Sequence, residues 1–215
     1  MILDLLPQGP AFTVFMVAAF AIGVAPGPGM MFCVARAVSQ GQKAGAVSVL
    51  GLSTGSFILC VAAALGVAAV LQTSQVAYDV LRYMGAAYLI YLAVRTIVVG
   101  GGVPETPDER HRDPLFVVYR QGVVTNILNP KSGLFYVSFV PQFLDPAKGS
   151  LLAQFILMGI IFNVMGNLIN LAVALSMGRL AEWLGRHPAV WRGQQWLTAT
   201  ILGGIAVHMV LSERN

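Results

Sequence analysis

Residues 21–32 read AIGVAPGPGMMF, an apolar run interrupted by Pro26, Gly27, Pro28 and Gly29. Proline lacks the amide N–H that continues a helix, and its ring clashes with the preceding turn. In lipid every backbone group freed in this way needs another partner. Such a break is tolerated there only where it faces protein or a water-filled cavity.

Composition places the run in a membrane. Of the 215 residues, 57% are hydrophobic and 10% charged, with a mean hydropathy of +0.75. Soluble domains carry roughly 45–50% apolar and about 25% charged residues. A spanning helix needs about 20 mostly apolar residues, and such windows fall at 11–34, 44–71, 80–99, 115–143, 151–177 and 195–211. They predict an all-α polytopic membrane protein of six transmembrane helices. What remains is short connections, the longest being GGGVPETPDERHRDP at 100–114, whose glycines, prolines and mixed charges read as a solvated loop. No soluble catalytic domain fits, so the expectation is a protein that is not an enzyme.

The N-terminus, MILDLLPQGP, has Asp4 and no Lys or Arg ahead of the first apolar run. It reads as an uncleaved first segment rather than a secretory signal. Nine of the thirteen basic residues, Arg36, Lys43, Arg95, Arg110, Arg112, Arg120, Arg179, Arg186 and Arg192, lie in or beside the loops after segments 1, 3 and 5. Because Lys and Arg accumulate on the cytoplasmic side, both termini are expected outside if all six segments span. A hairpin at Pro26 would instead leave five spans and a cytoplasmic N-terminus. The net charge of +4 is that of a positive-inside membrane protein and calls for no nucleic acid. Cys33 and Cys60 lie in apolar runs, and neither they nor His111, His187 and His208 have the spacing of a metal site. No phosphate-loop, dinucleotide-fold or hydrolase motif is present, so no cofactor is expected.

A second break lies in segment 4, VVTNILNPKSGLFYVSF, at Asn129, Pro130 and Gly133. Sliding the chain over itself by 104 residues sets Pro26 on Pro130, Gly29 on Gly133, Gly45 on Gly149 and Gly55 on Gly159, as well as Phe12 on Phe116 and Val14 on Val118. A unit of three segments reverses its orientation when repeated. The expected architecture is therefore two inverted three-helix repeats, 1–99 and 115–215, joined by the cytoplasmic loop 100–114, with helices 1 and 4 broken. Paired interruptions in opposed halves point to a midplane transport site. The ends of broken helices expose N–H groups suited to an anionic group and carbonyls suited to a cationic one, and an amino acid carries both. The competing reading makes the prolines simple packing kinks.

Polar residues within the apolar segments narrow the site, because they cost free energy in lipid and tend to face an interior. The candidate substrate-binding residues are Pro26, Gly27, Pro28, Gly29, Asn126, Asn129, Pro130, Lys131, Asn163 and Asn167. Asn163 and Asn167 share a helix face, with Asn170 adjacent, and helix-to-helix hydrogen bonding is their alternative role. Lys131, directly after the break, suits a substrate carboxylate or, alternatively, snorkels to the outer headgroups. Asp79 and Asp145 are the acidic candidates for proton coupling, with plain solvation as the alternative. Gly51 and Gly55 form a GxxxG that suits packing within one chain or between two copies in a homodimer.

The blocks APGPGMMFCVARAVSQGQKAG, LRYMGAAYLIYLAVRTI and YRQGVVTNILNPKSGLFYVSFVPQFLDP, in this order, resemble the LysE/RhtB family of bacterial amino-acid exporters over nearly the whole chain. The resemblance implies a secondary exporter of the inner membrane, driven by the proton motive force, with amino acids as substrate and lipid as surroundings. Its motifs fall on Pro26, Gly27 and Pro28 and on Asn129, Pro130 and Lys131. The family usually has Asn where this chain has Gly29, and often Ser or Thr where it has Ala25, which leaves more of the recognition to backbone groups. A six-segment thiol-disulfide carrier needs a cysteine in each half, yet the position 104 residues after Cys33 is Val137. A metal-ion exporter calls for His-rich or acidic loops and intramembrane carboxylates, and the 100–114 loop has one histidine.

Overall fold

The computed structural model describes residues 2–71, 113–186 and 188–211, together with single positions between 76 and 98 that are all helical. Prolines punctuate the chain. Pro10 opens α1 (Pro10–Val24), Pro28 opens α2 (Pro28–Gln40), Pro130 opens the short α5 (Pro130–Leu134) and Pro188 opens α7 (Pro188–Leu211). At a first helical position the missing N–H is harmless, because first-turn donors have no intrahelical partner. Between them lie α3 (Gln42–Leu71), α4 (Leu115–Ile127) and α6 (Leu151–Arg186). Gly41, at a positive φ of 87°, closes α2 and lets the chain turn into α3.

Both expected breaks are present. α1 ends at Val24, and α2 leaves it at an angle of 46°. The chain thus bends and continues, well short of the reversal a hairpin requires. α4 ends at Ile127, α5 follows at Pro130, and the same run passes into a π-helical turn, Phe135–Phe139, and a 3-10 turn, Val140–Phe143. Pro28 and Pro130 hold equivalent places, each first in the helix beyond its break, with Gly27 and Asn129 just before them.

Among the described residues, α3 and α6 each contain a stretch long and apolar enough to cross a membrane, and the bent α1–α2 pair makes a third when taken as one span. α6, with 36 residues, is about 54 Å long, well beyond the roughly 30 Å of a hydrocarbon core. Half of segment 3 and most of the loop 100–114 lie outside the described residues, as does Asp79.

α3 is the hub and packs on α2, α4 and α6. Its approach to α4 depends on glycine. A methyl group on Gly122 would stand 2.7 Å from the Ser48 carbonyl, and methyls on Gly51 and Gly55 would drive into the carbonyls of Tyr119 and Val123. The GxxxG therefore serves contact within one chain. On the other side of α3, Phe135 stacks on Phe162 with ring centroids 4.0 Å apart, and Phe15 packs on Phe135 and Phe143. This aromatic cluster joins α1 and α6 to the turn beyond the second break. The polarity is that of a lipid-solvated protein. Phe20, Leu50, Phe57 and Leu168 point outward, whereas Ser48, Ser56, Asn126, Asn129 and Asn163 are buried.

Candidate functional site

The first break exposes carbonyls by simple covalent logic. In a continuous helix the Ile22 carbonyl accepts from the N–H four residues on, but that residue is Pro26. The last turn of α1 also carries the negative end of the helix dipole. Lys131 fills the gap from the second break: its Nζ donates to the Ile22 carbonyl at 2.9 Å and to the Ala25 carbonyl at 2.7 Å. Gly27 makes room for it, since a Cβ there would stand 3.1 Å from Nζ. Lys131 thus neither snorkels outward nor stands free beside its own break.

Asn129 sets where Lys131 begins. Its Oδ1 caps α5 by accepting from the Lys131 amide at 3.0 Å. Asn126, one turn back on α4, donates to the Leu52 carbonyl of α3 at 2.6 Å, and its Oδ1 accepts from the Ser132 hydroxyl at 3.0 Å. From α6, Asn163 donates to the Ser53 carbonyl at 3.0 Å and accepts from the Ser53 hydroxyl at 3.2 Å. Asn167 donates to both oxygens of Asn163. Asn126 and Asn163 therefore hold helices together at the wall of the site, whereas Asn167 bonds within α6.

These groups surround a cavity of about 50 Å³. Of the residues singled out in the sequence, Gly29, Asn126, Asn129, Lys131, Asn163 and Asn167 line it, as does Asn170. Pro26, Gly27, Pro28 and Pro130 do not; they shape the backbone around it. Ile22, Leu52, Met30 and Phe162 supply an apolar wall, and Ser56 and Ser132 add two hydroxyls. The sequence does not single out those serines, because a lone Ser in an apolar segment usually bonds its own helix. Their signal was weak, residing only in their proximity to Gly55 and Lys131 in sequence. A volume of this size holds water but falls far below the roughly 300–1,000 Å³ typical of ligand pockets.

Asp145 stands apart from the cavity. Its carboxylate caps the 3-10 turn Pro146–Lys148 by accepting from the Ala147 amide at 2.9 Å, and its backbone is clasped by Gln154. At the far end of α2, Arg36 forms an ion pair with Asp113 at 2.8 Å and donates to Gln121 at 2.6 Å, joining α2 to the start of α4. Cys33 and Cys60 are buried free thiols in two separate apolar clusters.

Comparison with known proteins finds a family and several relatives. Residues 20–213 match the family description LysE type translocator. Leucine efflux protein of Salmonella typhimurium (strain LT2) is 26% identical over 200 residues, covering 91% of this chain and 92% of the relative. Leucine efflux protein of Enterobacter sp. (strain 638) is 34% identical over 137 residues, 62% of this chain and 64% of the relative. Uncharacterized membrane protein YrhP of Bacillus subtilis (strain 168) is 28% identical over 201 residues, 88% of this chain and 93% of the relative. No solved structure matches. The chain belongs to the LysE-type translocators and is a multi-pass protein of the bacterial inner membrane.

Proposed function

We propose that the protein exports leucine or a similar apolar amino acid, by alternating access of its two halves around the cavity and under the proton motive force. The observation that carries this reading is the convergence of both helix breaks on one cavity, joined by Lys131. Interrupted helices from opposed halves are where secondary transporters hold solute. Gly29, Asn126, Asn129, Lys131, Asn163 and Asn167 offer donors and acceptors for the amino and carboxyl groups, while Ile22, Leu52, Met30 and Phe162 suit a branched apolar side chain. The relatives named leucine efflux proteins support that substrate class.

The test is release from proteoliposomes loaded with labelled leucine, isoleucine, methionine, lysine or arginine, with and without an imposed proton gradient. Saturable, gradient-stimulated release of leucine and its apolar neighbours is expected. Equal leakage of all five with and without the gradient overturns the reading.

A further inference from the structure

The two carbonyls that hold Lys131 form a receptor for a primary ammonium, and three residues build it. Pro26 leaves the Ile22 carbonyl without its helical donor, the bend at 25–27 exposes the Ala25 carbonyl, and Gly27 lets a cation approach. The dipole end adds partial negative charge without a fixed carboxylate. Two carbonyls and a half-charge hold an ammonium but do not trap it as an ionised side chain would. Lys131 and the substrate's α-ammonium have the same head group, a compact –NH₃⁺ with three donors.

We propose that the Ile22 and Ala25 carbonyls are the subsite for the substrate's α-ammonium, and that Lys131 occupies it here as a tethered stand-in. The proposal rests on the export reading and deepens it. An arriving amino acid places its ammonium on the carbonyl pair, and the displaced Lys131 ammonium takes the substrate carboxylate. A buried charge without a partner is costly, and the exchange leaves none in either state. A zwitterion brings no net charge and supplies the partner that Lys131 loses. A carboxylic acid without an amino group cannot displace Lys131, and an amine without a carboxylate strands it.

Two measurements test this. In the first, detergent-solubilised Lys131→Ala is titrated with isopentylamine, which has leucine's side chain and ammonium but no carboxylate, and with isopentanol as its neutral counterpart. The amine is expected to raise the thermal midpoint of the variant, where the carbonyl pair is vacant, and to leave wild type unmoved; the alcohol is expected to move neither. An amine without effect on the variant, or an alcohol equal to it, overturns the proposal. Lys131→Met, whose side chain has no donor for the carbonyls, takes the variant's place if alanine is not tolerated, and its leucine efflux, as kcat/KM, is expected to fall about tenfold or more, as for loss of a charged hydrogen-bond partner.

In the second, 4-methylpentanoate, which is leucine without its amino group, is offered as a competitor of leucine efflux by wild type. It is expected not to compete, and competition equal to that of leucine overturns the proposal even if neither variant folds. The outcomes also separate the two readings. Wild-type vesicles that release no amino acid while the amine stabilises the variant sink export and leave the ammonium subsite standing. Leucine export with a variant indifferent to the amine does the reverse.

Discussion

Asn126 and Asn163 hold consecutive carbonyls of a single helix: the first donates to Leu52 and the second to Ser53, so α4 and α6 are both pinned to the same turn of α3. Each tie crosses between helices. Asn163→Ala is expected to lower the unfolding free energy by about 1 kcal/mol, the usual scale for interhelical hydrogen bonds in membrane proteins. Asn126→Ala is expected to cost more, because its bonds to Leu52 and Ser132 are buried whereas those of Asn163 to Ser53 are only partly so. Thermal midpoints in detergent check the order; equal midpoints for both variants and wild type count against the ties.

Close packing of α3 on α4 makes a sharper contrast. Gly51→Ala and Gly55→Ala place a methyl against backbone carbonyls of α4 that cannot move aside independently, whereas Gly66 has nothing within 4 Å. Overpacking of this kind costs about 1–3 kcal/mol. Size-exclusion profiles of fluorescently tagged protein are expected to show less folded material for the first two and a normal profile for Gly66→Ala. A shift from dimer to monomer with full folding would instead place Gly51 and Gly55 between copies.

The Arg36–Asp113 pair joins the end of α2 to the start of α4, with 18% of the Arg36 side chain and 34% of Asp113 exposed. Water screens it, so Arg36→Ala is expected to cost about 1 kcal/mol or less. The loss should shrink as salt is raised, because screening already weakens the pair in wild type. Thermal scans at low and high ionic strength decide it; a loss independent of salt means that Arg36 acts through its contacts with Phe32 and Gln121 rather than through the ion pair.

Asn129 does two jobs, capping α5 and donating weakly to Asn126 at 3.5 Å. Asn129→Asp keeps the acceptor that caps the helix, and Asn129→Ala removes it. The alanine variant is expected to lose about 1 kcal/mol, the usual worth of an N-cap, and to displace Lys131 from its carbonyls. Export by the alanine variant should therefore fall further than its thermal midpoint implies. Alanine and wild type with equal rates and midpoints would show that the cap is dispensable.

The sequence by itself determined that the chain is helical, that it lives in lipid and that it breaks at two places. Composition settles the solvent, and proline settles where a helix stops, whatever surrounds it. It also marked Asn126, Asn129, Lys131, Asn163 and Asn167, because polar groups in an apolar segment must face inward. Only the tertiary structure decided what those groups hold. That the Lys131 ammonium sits on carbonyls more than a hundred residues away and that Gly51 and Gly55 pack on α4 both depend on which helices lie side by side. Local chemistry says which groups need partners; the packing of distant segments selects the partners, because a hydrogen bond is made within about 3 Å in space, whatever the separation along the chain.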